Sequence, residues 1–452
     1  MATARTRAGD AIVKDIFGGS LYEQGRGYYV ALELLSVIWG THRAGHGVLP
    51  SPVDLPNLEY SRRSHDFARR LMRGRPEDIS SEERAHYGDD PGSRETLQAL
   101  LEGLRVPIPF RRKVPMWGGQ HLYPYIGELI HYDAVTRRGR PAMERYTFRG
   151  AGLLAHEILR TDDDLGRLDS SRSGLQRLVE DSESSLGRLM KALSEHDAAP
   201  QQYETWSDEL AQETNVGESR RTAWFEALRS GTSNIVSRDT VRAKQIEQLM
   251  HWVPYCIARH ELELALRSQN LASRPIPVDC ASGGQIRRMS RRTLDRDRAS
   301  ITEALKKRAE ELANGSEDAS TRQVHHQLLE GSQNWRKGPA SFFTATLATV
   351  GALNHVSGRR HYTLSLPLLE GIVAAALEPN ERIEFETFCF EILYKRFGLV
   401  VDQRSASACG LTHEIDAADF ELSEQSLAGD LQALGMMTEY SDATRLVHAE
   451  VL

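Results

Sequence analysis

Residues 239–271, DTVRAKQIEQLMHWVPYCIARHELELALRSQNL, indicate the fold class of this chain more clearly than any other stretch. The apolar residues of this stretch recur at the spacing of one helix face: Val241, Ile246, Leu249, Met250, Val253, Ile257, Leu262, Leu264 and Leu266. Such spacing predicts an amphipathic α-helix. Pro254 is expected either to kink one long helix or to separate two shorter helices, and the pattern leaves both open.

The composition around this stretch is that of a globular protein. The chain has 452 residues, of which 40% are hydrophobic and 26% charged, and its length predicts two to four folding units. No apolar run approaches the roughly 20 residues of a membrane span, and the first residues lack the apolar segment of a secretory signal. The four cysteines are widely spaced, as expected of free thiols. We therefore expect a cytoplasmic protein without membrane association.

Helical patterns extend in both directions from this stretch. A helix is predicted at 28–39, ending at Gly40, and another at 285–312, while the acidic run 162–164 supplies an N-cap for a helix in between. The expected parts are a mixed, mainly helical domain at 1–160, a helical domain at 161–313, a connector at 314–360 and an acidic domain at 361–452.

The last part shows the clearest supersecondary pattern. Helices are predicted at 366–377, 382–397 and 423–434, with a short strand at 399–401. Alternating residues at 436–451, on either side of a Ser441-Asp442 turn, predict a β-hairpin. Three helices followed by a hairpin describe a winged helix. The expected fold class is thus mainly α, with a C-terminal winged-helix-like α+β domain.

Charge is unevenly distributed along the chain, although the net charge is only −7. Residues 361–452 contain 16 acidic and 5 basic residues, a net charge of −11. Residues 271–360 contain 15 basic and 9 acidic residues, a net charge of +6. A basic body and an acidic tail are suited to different partners.

The basic segment carries an arginine-rich helix. Its arginines are Arg287, Arg288, Arg291, Arg292, Arg296 and Arg298. Because Arg288, Arg292 and Arg296 are four residues apart, they form a stripe on one helix face that is able to follow phosphates. A glycine-flanked helix start would add backbone donors. Alternatively, Asp295 and Asp297 pair with these arginines, and the helix is simply solvated.

A second basic cluster lies on a helix predicted at 61–72. It contains Arg62, Arg63, Arg69 and Arg70. Several arginine-rich patches in one chain favour a phosphate-backbone partner, DNA rather than RNA.

The predicted third helix of the acidic domain differs from a DNA-recognition helix. It contains Glu424 and Asp430, follows Glu421, and has no Lys or Arg. Phosphates would repel it, so contact with a protein partner, such as an ATPase or nuclease subunit, is the expected use of these three residues.

Motifs for cofactors or catalysis are missing from the sequence. It contains no GxxxxGK[ST] loop, no GxGxxG between a strand and a helix, no GxSxG and no HExxH, so we expect no cofactor and no enzymatic activity. The best metal-like set is His121, Glu128, His131 and Asp133. It supports a competing hypothesis, a metal-dependent hydrolase or nuclease, although ordinary buried histidines explain the same pattern.

The helical body, the acidic winged-helix pattern at 366–451 and the arginine stripe at 287–298 together resemble accessory subunits of prokaryotic DNA-defence or SMC-like complexes, of the kleisin type. The resemblance implies a non-enzymatic subunit of a bacterial DNA-associated complex, for example one that acts in anti-phage defence. Such a subunit would bind nucleic acid through its basic patches and a protein partner through its acidic domain.

Overall fold

The structure is a computed structural model of the chain. It describes residues 2–21, 27–54, 150–180, 216–281, 283–319, 339–354, 359–441 and 443–449, together with 61–62, 92, 95–96, 99–100, 103–104, 106, 123–125, 134–137, 140–143, 184–188, 204–205 and 322–324. The chain is mostly helical, as the sequence predicts. The division into four parts stays a prediction.

The described helices and strands are as follows. The body contains helices α1 (Ala2–Phe17), α2 (Tyr28–Arg43), α3 (Ala151–Arg160), α4 (Leu165–Val179), α5 (Ala223–Ser237), α6 (Arg242–Arg267), α7 (Gly284–Gly315) and α8 (Pro339–Val350). The last part contains α9 (Leu366–Ala376), α10 (Phe385–Thr387, continuing as the π-helix Phe388–Arg396), α11 (Gln403–Ala408) and α12 (Ala417–Ala433). The strands are β1 (Ser61–Arg62), β2 (Ala134–Arg137), β3 (Arg140–Met143), β4 (Glu204–Thr205), β5 (Ile276–Pro277), β6 (Arg382–Glu384), β7 (Leu399–Val400), β8 (Met437–Glu439) and β9 (Arg445–His448).

Helix α6 is the central helix of the body. Of the two alternatives that the sequence left open, the single helix is observed, and it runs through Pro254 without ending. Every residue from Gln248 to Leu262 is buried, because α2, α5, α7, α8 and α9 all pack against α6. A helix that is buried on all sides is stabilised by packing rather than by its own hydrogen bonds, which explains why it tolerates an internal proline.

Helix α2 does not end at Gly40, so that prediction is wrong. It continues to Arg43, and the backbone N–H of Ala44 still donates to the carbonyl of Gly40. An internal glycine costs a helix about 1 kcal/mol, which burial of the neighbouring Ile38 and Thr41 offsets.

The crossing of α2 and α3 depends on one glutamate and one glycine. The buried carboxylate of Glu33 accepts hydrogen bonds from the backbone N–H groups of Gly150 (2.9 Å) and Gly152 (2.7 Å), at the start of α3. A Cβ at Gly152 would lie 2.5 Å from the carbonyl oxygen of Val30. Only glycine therefore allows the two helices to approach this closely.

The predicted C-terminal hairpin is confirmed, since β8 and β9 pair antiparallel. Strand β6 pairs with the other edge of β9, which gives the sheet the order β6-β9-β8. The helix predicted at 382–397 is wrong in its first residues, because 382–384 form β6. Their exposure alternates, as expected for a strand that covers a core with one face. Helix α12 begins at Ala417, earlier than the predicted 423.

The last part of the chain packs directly on the body. Strand β7, predicted at 399–401, pairs in parallel with β5, where Ile276 is opposite Leu399. The buried residues Leu368, Leu427 and Val447 belong to the same continuous hydrophobic core as Trp252 of α6. This packing places the acidic helix α12 next to the start of the arginine-rich helix α7.

Candidate nucleic-acid interface

Helix α7 has one apolar and one charged face. Ile286, Met289, Leu294, Ile301 and Leu305 are buried at helical spacing. Burial of this face fixes the rotation of the helix about its own axis. The sequence prediction of a helix at 285–312 is confirmed, and the helix extends to Gly315.

The predicted stripe lies on the opposite face of α7. Arg288, Arg292 and Arg296 are all exposed, and no carboxylate of the described residues forms an ion pair with any of them. A rise of about 1.5 Å per residue puts successive members of the stripe about 6 Å apart along the helix axis. The stripe is therefore a row of accessible positive charge.

The other three arginines of the run are either paired with a carboxylate or half-buried. Arg287 donates from Nε to Oδ2 of Asp279 at 2.8 Å, and Arg298 lies 3.7 Å from Asp295. Arg291 is half-buried, and its Nε has no hydrogen-bond partner. The pairing with Asp295 and Asp297 that the sequence suggested thus holds, among the described residues, for Arg298 with Asp295.

Asp279 anchors the beginning of α7. This buried side chain also accepts hydrogen bonds from the backbone N–H of Gly283 (3.2 Å) and lies 3.1 Å from Nε2 of the buried His361. Burial alone would raise the pKa of Asp279, but the hydrogen bonds from His361, Arg287 and Gly283 outweigh it and hold the pKa below its ordinary value. Arg287 is therefore part of a buried ionic cluster.

The start of α7 is capped by the acidic helix α12. Oδ2 of Asp419 accepts a hydrogen bond from the backbone N–H of Gln285 at 2.6 Å. Oγ of Ser423 donates to the carbonyl of Val278, and Oγ of Ser426 donates to that of Cys280. The backbone donors that we expected to help to bind phosphate are therefore occupied at Gly283 and Gln285.

Asp279 and Asp419 were not among the residues predicted from the sequence. Both cap the start of α7, but Asp419 is 134 residues away from its partner along the chain. The local sequence indicates the start of α7 by the pair of glycines before the arginine run. It does not identify the residues that cap this start.

The two acids inside the arginine run behave differently. Asp295 is exposed and pairs with Arg298, whereas Asp297 is buried. The hydroxyl of Tyr362 donates to Oδ2 of Asp297 at 2.6 Å. Burial raises the pKa of Asp297 above its ordinary value, and the Tyr362 hydrogen bond and neighbouring arginines oppose that rise.

The second basic cluster is only partly described. Ser61 and Arg62 form β1, which pairs antiparallel with β4, so the helix predicted at 61–72 does not include its first two residues. Arg63, Arg69 and Arg70 lie outside the described residues.

The predicted partner-binding residues lie on or beside α12, and they differ in exposure. Glu421 is exposed, and the neighbouring Leu422 is 56% exposed. Glu424 is half-buried and forms an ion pair with Arg445 at 3.2 Å; Arg445 also contacts Glu386. Asp430 is half-buried, and burial raises its pKa. Glu421 and Leu422 are therefore the most accessible pair.

The metal-like set His121, Glu128, His131 and Asp133 lies outside the described residues. Within the described part of the chain, no three His, Cys, Asp or Glu side chains are grouped closely enough to hold a metal ion. None of the described helices combines the length and the apolar character that crossing a membrane requires.

In comparisons with known proteins, no family model, no curated protein and no solved structure matches the chain.

Proposed function

We propose that this chain is a non-enzymatic, nucleic-acid-binding subunit of a bacterial DNA-associated assembly, such as an anti-phage defence complex. It binds the phosphate backbone through Arg288, Arg292 and Arg296. The observation that carries the proposal is the exposed face that these three arginines share, without an ion-pair partner among the described residues. Guanidinium groups are the side chains best suited to phosphate.

The dimensions of the stripe support contact with several phosphates at once. It extends about 12 Å along α7, whereas phosphates of one DNA strand follow each other every 3.4 Å or so along the duplex axis. Three arginines can therefore reach three separate phosphates. Such contacts provide affinity and orientation without reading the base sequence.

We further propose that residues 366–449 form a winged helix that binds a protein partner. The order of α9, β6, α10, α12 and the hairpin, and the sheet order β6-β9-β8, support this. Helix α12 would be the recognition helix, but Ala417–Ala433 contains no Lys or Arg. The exposed Glu421 and Leu422 suit a partner with a basic, partly apolar surface, such as an ATPase or nuclease subunit.

Binding of a fluorescently labelled DNA duplex to the purified chain, at about 50 mM salt, tests the proposal. We expect R288A/R292A/R296A to weaken binding by at least about a hundredfold, because three phosphate contacts are lost. A single-stranded RNA probe distinguishes DNA from RNA.

A matched control removes the same charge elsewhere. In R172A/R221A/R267A each arginine that is lost belongs to an ion pair at a partly exposed site. We expect this variant to weaken binding by less than about threefold. Absence of binding by the wild-type chain, or equal weakening in the two triple variants, would refute the proposal.

A further inference from the structure

A buried arginine in the body has no hydrogen-bond partner among the described residues. Arg259 of α6 is 6% exposed, and within the described part of the chain it makes no hydrogen bond or ion pair; its Nε and Nη1 atoms are buried. Arg229 and Arg238 are buried to a similar degree, but Arg229 donates to the carbonyl of Ile158 and Arg238 to the carbonyls of Ala374 and Leu377. Buried charges in proteins are normally paired, so Arg259 calls for a ligand.

A second unpaired donor lies one helical turn away. Tyr255, also on α6, is 2% exposed, and its buried hydroxyl has no hydrogen-bond partner in the part of the chain that the structure describes. Trp224 of α5 positions both side chains: the guanidinium carbon of Arg259 lies 4.9 Å from its ring centre, and the Tyr255 ring packs edge-on against it at 5.5 Å. The two donor groups are therefore held on the same side of α6.

The charge around these donors is mainly positive. Among the described residues, the carboxylate of Asp297 lies within electrostatic range of Arg259, and Arg274 and Arg296 also act on it. Its Oδ2 already accepts the hydrogen bond of Tyr362, and it forms no ion pair with Arg259. Arg274 is half-buried and Arg296 exposed, so three arginines act on the single carboxylate of Asp297.

We propose that Arg259 and Tyr255 bind a phosphate-class oxyanion inside the body, next to Asp297 of α7. The planar guanidinium supplies donors in a fork that matches two oxygens of a phosphate, and the tyrosine hydroxyl supplies a further donor. The ligand is inorganic phosphate or a terminal phosphate of a nucleotide or nucleic acid. This site does not require that the stripe bind DNA.

Thermal unfolding of the full chain, titrated with sodium phosphate against sodium chloride of equal ionic strength, tests the site. A ligand that binds only the folded state raises Tm with saturation. We expect a saturable rise with phosphate that R259Q abolishes, and that Y255F shifts to about fivefold to tenfold higher phosphate concentration, the value of one hydrogen bond. R288A/R292A, which leaves Arg296 near Asp297 in place, should keep the wild-type response.

The behaviour without anions provides a second measurement. R259Q removes an unpaired buried charge, so its Tm in phosphate-free buffer should equal or exceed that of the wild type, whereas R238Q, which loses two carbonyl contacts, should be lower. If R259Q does not fold, the phosphate titration of Y255F and phosphorus NMR of phosphate with the wild-type chain decide whether the site binds phosphate. No phosphate effect in the wild type, or an unchanged effect in R259Q, would overturn the proposal.

Binding of two oligonucleotides of one sequence to R288A/R292A, one with a 5′-phosphate and one with a 5′-hydroxyl, distinguishes the sources of phosphate. A preference for the 5′-phosphate that is lost in R259Q assigns the site to a nucleic-acid end. An equal response to both, with retained binding of inorganic phosphate, assigns it to the free anion. Binding of neither the oligonucleotides nor inorganic phosphate contradicts the site.

Discussion

At the scale of single residues, the buried carboxylates differ in how they are satisfied. Glu33 and Asp279 accept backbone hydrogen bonds. Glu261 of α6 is fully buried, and neither of its carboxylate oxygens has a hydrogen-bond partner among the described residues. Burial alone raises the pKa of Glu261 well above its ordinary value. Burial therefore favours the neutral acid over the carboxylate at Glu261 in the folded chain.

Replacing Glu261 with Gln should stabilise the chain at neutral pH. In the unfolded chain the carboxyl ionises above its ordinary pKa of 4.5, whereas in the folded chain it stays protonated, so the wild type loses stability as pH rises above that value. The variant, which cannot ionise, should gain up to about 3 kcal/mol at pH 7, from about 1.4 kcal/mol per pH unit. Urea unfolding at several pH values measures this difference.

The control is Glu33→Gln, which should destabilise the chain because the Glu33 carboxylate accepts two backbone N–H groups. A Glu261→Gln effect that is the same at pH 4 and at pH 8 would show that ionisation of Glu261 is not the cause.

The role of a residue could be predicted from the sequence where its partner is close to it along the chain. The acidic run 162–164 predicted an N-cap, and Asp164 indeed accepts a hydrogen bond from the backbone N–H of Arg167 at 3.1 Å. Asp419 caps α7 by the same chemistry, but it comes from a helix far along the chain. Nor did the sequence distinguish Arg287, which is held by Asp279, from the exposed Arg288.

At the scale of elements, the junction between α7 and α12 is the contact that most shapes the candidate interface. Asp419 adds a negative charge at the positive end of the α7 dipole, where a phosphate would otherwise be favoured. A nucleic acid bound as we propose would therefore contact the side of α7 rather than its end. The stripe is on that side.

Removing the cap should weaken this junction. We expect Asp419→Ala to lower the free energy of unfolding by about 1–2 kcal/mol, because an N-cap hydrogen bond and a favourable dipole interaction are lost. Glu421→Ala, an exposed change at the same helix, should alter it by less than about 0.5 kcal/mol. Urea unfolding of the two variants provides the test, and equal effects would argue against a capping role for Asp419.

Elements with strong periodicity were predictable, and so was the short strand β7, whereas strand β6 was not. The pattern of α7 and the alternation of the final hairpin both identified their structures. Strand β6 has only three residues, too few for alternation to be distinguished from the start of a helix. The partner of β7 is β5, a pairing between distant segments that local patterns do not encode.

At the scale of the whole molecule, the acidic and basic segments of the chain are packed together. Part of their charge is used internally, as in the contacts of Asp419 with α7 and of Arg445 with Glu424 and Glu386. The described charges that stay accessible include an arginine row on α7 and an acidic, partly apolar surface on α12. These surfaces suit different partners.

A change on α12 should therefore leave nucleic-acid binding intact. Leu422→Asp adds a negative charge at an exposed position, and we expect the affinity for a DNA duplex to change by less than about twofold, since the charge is screened over about a Debye length. If α12 entered a DNA groove, the same change would strongly weaken binding. Fluorescence anisotropy with the labelled duplex separates these outcomes.

The salt dependence of DNA binding tests the central claim most directly. Each phosphate contact contributes about 0.9 to the slope of log K against log salt concentration, so three arginines contribute about 2.7. We expect R288A/R292A/R296A to reduce the slope by about this amount, while R172A/R221A/R267A keeps the wild-type slope. An unchanged slope in R288A/R292A/R296A would show that α7 does not contact the phosphate backbone.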